Sequence, residues 1–200
     1  MNKKITFILT ALMLLGIRGI PISAQDFSLS AGGGLTIGNS FYSERSKTSS
    51  YSYKRNELGI GSFGFFDATY AELNVGYKFE FMFGDGEGDY EEAIRGSINI
   101  GLLGKYPFDM GYFALYPLLG VQYMIVMSYD DDFEDLSDFN ALWIMAGGGG
   151  DYLFSDALFL RGQFLWGFKM NNEREKSYSY ASTYLTHGPS IKIALGYRFW

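Results

Sequence analysis

Charged residues of both signs recur at alternate positions within otherwise apolar segments of this 200-residue chain. Between positions 72 and 83, for example, Glu72, Lys78 and Glu80 alternate with leucine, valine, tyrosine and phenylalanine. Buried charges need partners, so we expect these side chains to pair with one another inside the fold. The predicted inward-facing set comprises Glu72, Lys78, Glu80, Arg95, Asp151, Arg161, Lys169, Lys192 and Arg198.

Two functions are open to such a set of charges. One is a structural plug of salt bridges and hydrogen bonds, because the guanidinium fork of arginine matches a carboxylate. The other is a narrow polar conduit. Arg161 and Asp151 lie on predicted neighbouring segments and are the best candidate pair.

The elements that must position these charges are β-strands. Residues 190–200 alternate without a break: Ile191, Ile193, Leu195, Tyr197 and Phe199 fall on one face, and Lys192, Ala194, Gly196 and Arg198 fall on the other. This period of two predicts a strand. A free apolar strand invites aggregation at its edge, whereas a closed membrane barrel pairs the edge and presents the apolar face to lipid.

The ending Gly196-Tyr197-Arg198-Phe199-Trp200 resembles the terminal strand of bacterial outer-membrane β-barrels. Chains of that family end in an aromatic residue with a tyrosine shortly before it. The usual last residue is phenylalanine, and here Trp200 follows Phe199. The resemblance implies that Tyr197, Phe199 and Trp200 form the signal read by the barrel assembly machinery.

Turn and loop signals divide the rest of the chain into seven further strands. The predicted boundaries include a first strand at residues 27–37, a loop at 38–57, a turn at 67–69, a fifth strand at about 114–129 with Pro117 marking its start, and a last loop at 171–188. Long polar connections alternate with short ones, as in outer-membrane barrels. The pattern is similar to the OmpA/OmpX-type family, which implies an all-β, eight-stranded antiparallel up-and-down transmembrane barrel.

Volume predicts which face of the barrel points outwards. An eight-stranded barrel has an interior just wide enough for side chains to fill it. We expect the many large apolar residues to lie outside in lipid, because so many rings do not fit inside. The Gly-rich polar face, with its charges of both signs, then lines the interior.

The first 24 residues have the pattern of a secretory signal peptide. Lys3 and Lys4 precede an apolar run at 5–17, and Ile22-Ser23-Ala24 is an acceptable cleavage site. The apolar run is too short for a membrane-spanning helix. We therefore expect export, with a barrel domain at residues 25–200.

Composition excludes several other classes of protein. The chain has no cysteine, so it has neither disulfides nor the anchor of a bacterial lipoprotein. Its formal charge is −6, and removal of three basic residues with the predicted signal peptide lowers it to −9, which gives no support to nucleic-acid binding. The acidic segments 85–89 and 130–138 lack the spacing of a calcium loop, and no cofactor is predicted.

Two motifs resemble a nucleotide-binding site and a catalytic pair, but the predicted structure around each motif argues against that function. Residues 59–64 match G-x-G-x-x-G, yet no helix is predicted to follow. His187, the only histidine, precedes Ser190 by three residues. Outer-membrane lipid A deacylases pair such residues, but an offset of three on a strand puts them on opposite faces. We therefore do not predict an enzyme, and a lipid-modifying enzyme stays an alternative.

Two predicted loops repeat a Ser-Tyr-Ser-Tyr motif. Tyr51 and Tyr53 lie in the first loop, and Tyr178 and Tyr180 lie in the last. Tyrosine and serine give contact area with adaptable hydrogen bonding, which suits a recognition surface for an extracellular ligand or host surface. Alternatively, the strands continue above the membrane with a tyrosine face.

The sequence therefore predicts an integral outer-membrane barrel, monomeric and surrounded by outer-membrane lipid, with a filled polar interior. Its predicted role is structural, or surface interaction through the long extracellular loops. A small-solute channel is the main alternative.

Overall fold

Eight long strands make up the protein in a computed structural model that describes residues 28–46, 52–84, 93–129, 136–170 and 182–199. The strands are β1 (Leu29–Ser46), β2 (Ser52–Ala68), β3 (Ala71–Gly84), β4 (Ala93–Lys105), β5 (Phe113–Tyr129), β6 (Ala141–Leu153), β7 (Leu158–Lys169) and β8 (Ser182–Arg198). A two-residue strand at Phe108–Asp109 pairs with the start of β5, and a 3-10 helix at Leu136–Phe139 precedes β6. No helix in the described part of the chain is long and apolar enough to cross a membrane.

The sheet closes on itself. Each strand pairs antiparallel with the next in sequence, including β4 with β5, and β1 pairs with β8 from Ser30↔Arg198 to Ser46↔Ser182. Every one of the eight described strands therefore has a neighbour on both sides, which removes the exposed edge. The prediction of an eight-stranded up-and-down barrel is confirmed.

The strands extend further towards the long loops than the sequence predicts. β1 continues to Ser46 and β2 begins at Ser52, so the predicted loop at residues 38–57 is wrong over most of its length. Likewise β8 begins at Ser182, within the predicted loop at 171–188. These segments are polar, but strand pairing satisfies their backbone groups whatever the side chains are.

Two smaller boundaries also differ from the prediction. Asp67 belongs to β2, and the turn that follows is at Thr69–Tyr70. Pro117 is the fifth residue of β5 rather than its start. It lies one residue before the β4 pairing begins at Leu118, and a proline is tolerated near the end of a ladder.

The outer surface of the barrel is apolar and the charges lie inside. Leu35 is 69% exposed and Ile193 is 57% exposed, whereas Arg161 is 1% exposed and Glu72 is fully buried. This orientation is the one that a barrel in lipid requires, and a soluble barrel has the reverse. The facing predicted from volume is therefore present in the structure.

Large rings nevertheless lie inside the barrel as well, and there the volume argument is wrong. Phe63, Phe65 and Phe159 form one inward cluster with Ala194. A second inward cluster, drawn mainly from β5 and β6, includes Tyr116 and Trp143. The interior is therefore charged and apolar, not uniformly polar.

Inward-facing glycines make room for these rings. A Cβ atom placed on Gly149 would lie 2.5 Å from Cε2 of Tyr116. One placed on Gly167 would lie 3.0 Å from Cε3 of Trp143. Each ring therefore occupies volume that a side chain at the facing glycine would need, which is how a narrow barrel reaches close packing.

The end of the barrel with the short turns, here called the short-turn end, carries exposed aromatic residues. Phe113 packs on Tyr152 with ring centroids 4.9 Å apart, and Tyr197 packs on Phe199 at 5.4 Å. Aromatic girdles of this kind lie at the boundary between hydrocarbon and headgroups. The opposite end, where the long connections emerge, is called the loop end below.

Candidate functional site: the charged interior

The strand alternation delivers the nine predicted residues to the inside of the barrel at different depths. Six are buried: Glu72, Glu80, Arg95, Asp151, Arg161 and Lys192. Three are half-buried: Lys78 beside Glu80, Lys169 at the loop-end terminus of β7, and Arg198 at the short-turn end of β8.

Arg161 on β7 is the centre of the interior. Its Nε and Nη2 atoms donate to the two carboxylate oxygens of Asp151 on β6, at 2.8 and 2.7 Å. Nη1 donates to Glu72 Oε2 on β3 at 2.8 Å, and Nη2 also donates to Asp67 Oδ2 on β2 at 2.6 Å. One guanidinium thus holds three carboxylates, in the fork geometry that favours arginine over lysine.

Each of these carboxylates has a further partner. Lys105 on β4 donates to Asp67 Oδ2 at 2.5 Å, and the hydroxyl of Tyr116 donates to Asp151 Oδ1 at 2.8 Å. Gln163 Nε2 donates to Glu72 Oε2 at 2.7 Å. We call Arg161, Asp67, Glu72, Asp151 and Lys105 the Arg161 network.

Aromatic rings complete the surroundings of the guanidinium. Arg161 Cζ lies 4.4 Å from the ring centroid of Phe65 and 5.1 Å from that of Phe159. A cation over a ring face in a desolvated site is attracted by the ring quadrupole. The inward rings therefore contribute to the charged site as well as filling volume.

A second network lies nearer the loop end. Arg95 on β4 donates through Nε to Glu80 Oε2 at 2.7 Å and through Nη2 to Glu57 Oε2 at 2.8 Å. Lys78 pairs with Glu80 at 2.8 Å, and Arg55 pairs with Glu57 at 2.5 Å. These five residues are the Arg95 network.

Four members of the two networks are absent from the set that the sequence predicts: Arg55, Glu57, Asp67 and Lys105. Glu57 and Asp67 lie on segments predicted as loop and turn, although both belong to β2 and face inwards. Lys105 and Tyr116 stand beside the short connection between β4 and β5. The alternation of Leu58 and Ile60, extended one residue back, was the available signal for Glu57.

His187 and Ser190 do not share a site. Both lie on β8, where His187 stacks on Trp166 from outside the lumen, with ring centroids 5.6 Å apart. Ser190 lines an internal cavity. The offset of three within one unbroken register therefore separates them onto opposite faces.

The structure describes few of the residues predicted for surface recognition and assembly. Tyr51, Tyr178 and Tyr180 lie outside the described residues, and so does Trp200. The backbone of Tyr53 belongs to β2, opposite Glu44 of β1. Tyr197 and Phe199 are exposed on the outer surface, 51% and 60% respectively.

Metal binding has no described candidate. Among the residues with described positions, no group of three or more Asp, Glu or His side chains is arranged to hold a metal ion. The acidic segment at 85–89 and most of the segment at 130–138 lie outside the described residues.

Comparison with known proteins supports the fold. No protein-family model matches the sequence, and no curated protein matches it. Among solved structures, the chain is similar to the outer membrane protein OprG from Pseudomonas aeruginosa, with a TM-score of 0.54 and 14% identity. The match covers 86% of this chain and 95% of that chain. At this identity, the likeness establishes the barrel fold.

Two other solved barrels are similar at lower scores. A major outer membrane protein from Thermus thermophilus has a TM-score of 0.46 and 13% identity, over 84% of this chain and 99% of that chain. Outer membrane protein W from E. coli has a TM-score of 0.44 and 13% identity, over 84% and 98%.

Proposed function

We propose that this protein is an integral outer-membrane β-barrel whose interior is closed by ion pairs. Its role is structural, or contact with the cell surroundings through its long loops. The apolar outer surface and the aromatic residues at the short-turn end support insertion into lipid. The OprG-like fold supports the outer membrane as the location.

One observation carries the proposal of a closed interior. In a ring of eight strands, β7 and β3 are four strands apart and face each other across the lumen. Arg161 on β7 binds Glu72 on β3 at 2.8 Å, and both side chains are at most 1% exposed. An ion pair between opposite walls obstructs the lumen at that level.

The proposal extends to export and assembly. Residues 1–24 act as a cleaved signal peptide, and residues 25–200 fold as a monomeric barrel surrounded by outer-membrane lipid. Tyr197, Phe199 and Trp200 present the signal that the barrel assembly machinery reads. Tyr197 and Phe199 support this role because both are exposed on the outer face of the strand that closes the barrel.

The surface role is assigned to the tyrosine-rich segments at the loop end. Tyr53 is the second residue of β2. Tyr51, Tyr178 and Tyr180 lie in the stretches of sequence next to β1, β2 and β8, which are neighbours in the barrel. They would contact an extracellular ligand or host surface. No catalytic activity is part of the proposal, because His187 and Ser190 lie on opposite faces of β8.

Single-channel recording in planar bilayers tests the closed interior. We expect no stable conductance steps of porin size from the wild-type protein. Arg161→Ala combined with Glu72→Ala removes the bridge between the walls and is expected to give small steps. Porin-sized steps from the wild type, abolished by Ser190→Phe, would show that the interior is open.

A narrow channel for small solutes is the second candidate function. It is supported by the cavity that Ser190 lines in the loop-end half of the barrel. Uptake of labelled small solutes into liposomes distinguishes it from the closed barrel. Uptake by liposomes that contain the wild-type protein, and not by liposomes without protein, would favour the channel.

A further inference from the structure

The internal cavity is lined by Lys78 and Glu80 of the Arg95 network, and by Ser40, Ser190 and Lys192. Its volume, counted as the space that the centres of water molecules can occupy, is about 60 Å³. That volume holds a few waters or one group of a few heavy atoms. The charged residues that line it are Lys78, Glu80 and Lys192, which sum to a formal charge of +1.

Lys192 differs from the other deeply buried cations. Arg95, Arg161 and Lys105 each hold a carboxylate oxygen at 2.8 Å or closer. Lys192 is 5% exposed, yet it makes no ion pair with a carboxylate among the described residues. Among the described residues, no carboxylate is in direct contact with Lys192. Glu72 is linked to it only through Asn74, whose Nδ2 donates to Glu72 Oε1 at 3.3 Å.

The contacts of Lys192 use only part of the hydrogen-bonding capacity of its ammonium group. Its Nζ donates to Asn74 Oδ1 at 3.2 Å and lies 5.1 Å from the ring centroid of Phe63. An ammonium carries three donors, and one neutral amide oxygen satisfies one of them. A buried charge with so few partners is costly, so an additional partner of opposite charge would stabilise the site.

Ser190 supplies a second, independent observation. It lies two residues before Lys192, on the same inward face of β8, and both residues line the cavity. Its Oγ is buried and has no hydrogen-bond partner in the described part of the chain. A hydroxyl is able to donate to an anion, and buried hydroxyls rarely stay unpaired.

The chemistry of the lining restricts what the cavity binds. A metal cation is disfavoured by the ammonium of Lys192. An apolar group would leave Lys192 with Asn74 as its one hydrogen-bond partner and Ser190 with none among the described residues. Water would satisfy Ser190 but would not balance the charge. A small anion with oxygen acceptors satisfies both residues.

We propose that this cavity binds a small oxyanion, a carboxylate or an inorganic oxyanion, between the ammonium of Lys192 and the hydroxyl of Ser190. Thr36 lines the same cavity and lies opposite Lys192 in the pairing of β1 with β8. The loop-end half of the barrel is then a selective anion site above the Arg161 network.

Titration of the folded barrel with sodium acetate and with sodium phosphate tests the proposal. The mature protein in lipid nanodiscs is titrated at constant ionic strength, held with sodium chloride. Affinity is measured by calorimetry, and the lysine ¹³Cε resonances identify the residue that responds. We expect saturable binding that shifts the Lys192 resonance.

Three variants make the result specific. Lys192→Met removes the charge and keeps the side-chain length, and it is expected to weaken binding at least about tenfold. Ser190→Ala removes one neutral donor, with an expected loss of about twofold to tenfold. Lys169→Met is the matched control, because it removes the same charge from a strand residue that does not line the cavity.

The two anions distinguish the source of the oxyanion. Binding of acetate alone identifies a carboxylate site, binding of phosphate alone identifies an inorganic oxyanion site, and binding of both identifies a general oxyanion site. The absence of saturable binding for either anion, or equal affinity of wild type and Lys192→Met, would overturn the proposal. Should Lys192→Met fail to fold, equal affinity of wild type and Ser190→Ala overturns it instead.

Discussion

The Arg161 and Arg95 networks use the same chemistry and connect different parts of the barrel. Arg95 on β4 binds Glu80 on β3 and Glu57 on β2, so its partners lie on the two strands next along the wall. Arg161 on β7 binds Asp151 on the adjacent β6 and also reaches Glu72 on the opposite strand β3. The first network joins neighbours along the wall, and the second spans the lumen.

The difference shows what decides the role of a buried arginine in a narrow barrel. Both arginines have carboxylate partners at 2.8 Å or closer, and both are nearly fully buried. What differs is the number of carboxylates and the distance around the ring between their strands. Loss of the cross-lumen arginine should therefore disturb more partners than loss of the arginine on the wall.

Arg161→Ala is expected to have the largest effect. It leaves three buried carboxylates without their common partner, and removal of one member of a buried ionic network costs about 3–5 kcal/mol. The free energy of unfolding, measured by urea titration in detergent micelles, should fall by that amount.

The control for Arg161→Ala removes a charge pair together. Asp67 keeps Lys105 and Glu72 keeps Gln163 in both variants. Arg161→Met with Asp151→Asn also removes the charge of Asp151, so one fewer buried carboxylate is left without a cation. This double variant should lose less stability than Arg161→Ala does. A larger loss in the double variant would contradict the role of the network in charge compensation.

Arg95→Ala is expected to cost less, about 1.5–3 kcal/mol. Glu80 keeps Lys78 and Glu57 keeps Arg55, so neither carboxylate is left without a cation. The same urea titration measures the change. Since the two networks share no ion pair, the loss in a double variant with Arg161→Ala should equal the sum within about 0.5 kcal/mol.

A pair of glycine substitutions compares the inside with the outside of the wall. Gly149→Ala places a methyl group 2.5 Å from Tyr116 and should lower the free energy of unfolding by about 1–3 kcal/mol. Gly162→Ala adds the same methyl group where no atom lies within 4 Å, and should change it by less than about 0.5 kcal/mol. Equal effects at the two positions would show that the inward glycines do not make room for the rings.

The smallest effect is expected from the tyrosine-rich segment near the loop end. Replacing Tyr178 and Tyr180 by serine should leave the heat-modifiable mobility of the folded barrel on gels unchanged, because loops tolerate change when their backbone is solvated. If these tyrosines form a recognition surface, binding of intact cells to host surfaces should fall. A loss of folded barrel would instead assign the segment to a strand.

Alternation in the sequence predicts the strand faces well where apolar and charged residues exchange regularly, as they do around Glu72, Glu80 and Arg161. Alternation predicts the extent of a strand poorly where its residues are mostly polar, as around Glu57. A paired backbone is satisfied without apolar side chains, so such a segment can still form a strand. The inward rings also escape prediction. Phe65 and Phe159 fit inside because glycines on other strands face them, and that match depends on register between distant segments.

The separation of the partners of Arg161 along the chain has a consequence for the order of folding. Asp151 is 10 residues away, on the other arm of the same hairpin, whereas Glu72 and Asp67 are 89 and 94 residues away. Contacts between distant segments form late, because closing a long loop costs entropy before the contact is gained. We therefore expect the hairpin of β6 and β7 to form early, with Arg161 already paired with Asp151. We expect the cross-lumen bonds to form only when the first and last strands meet.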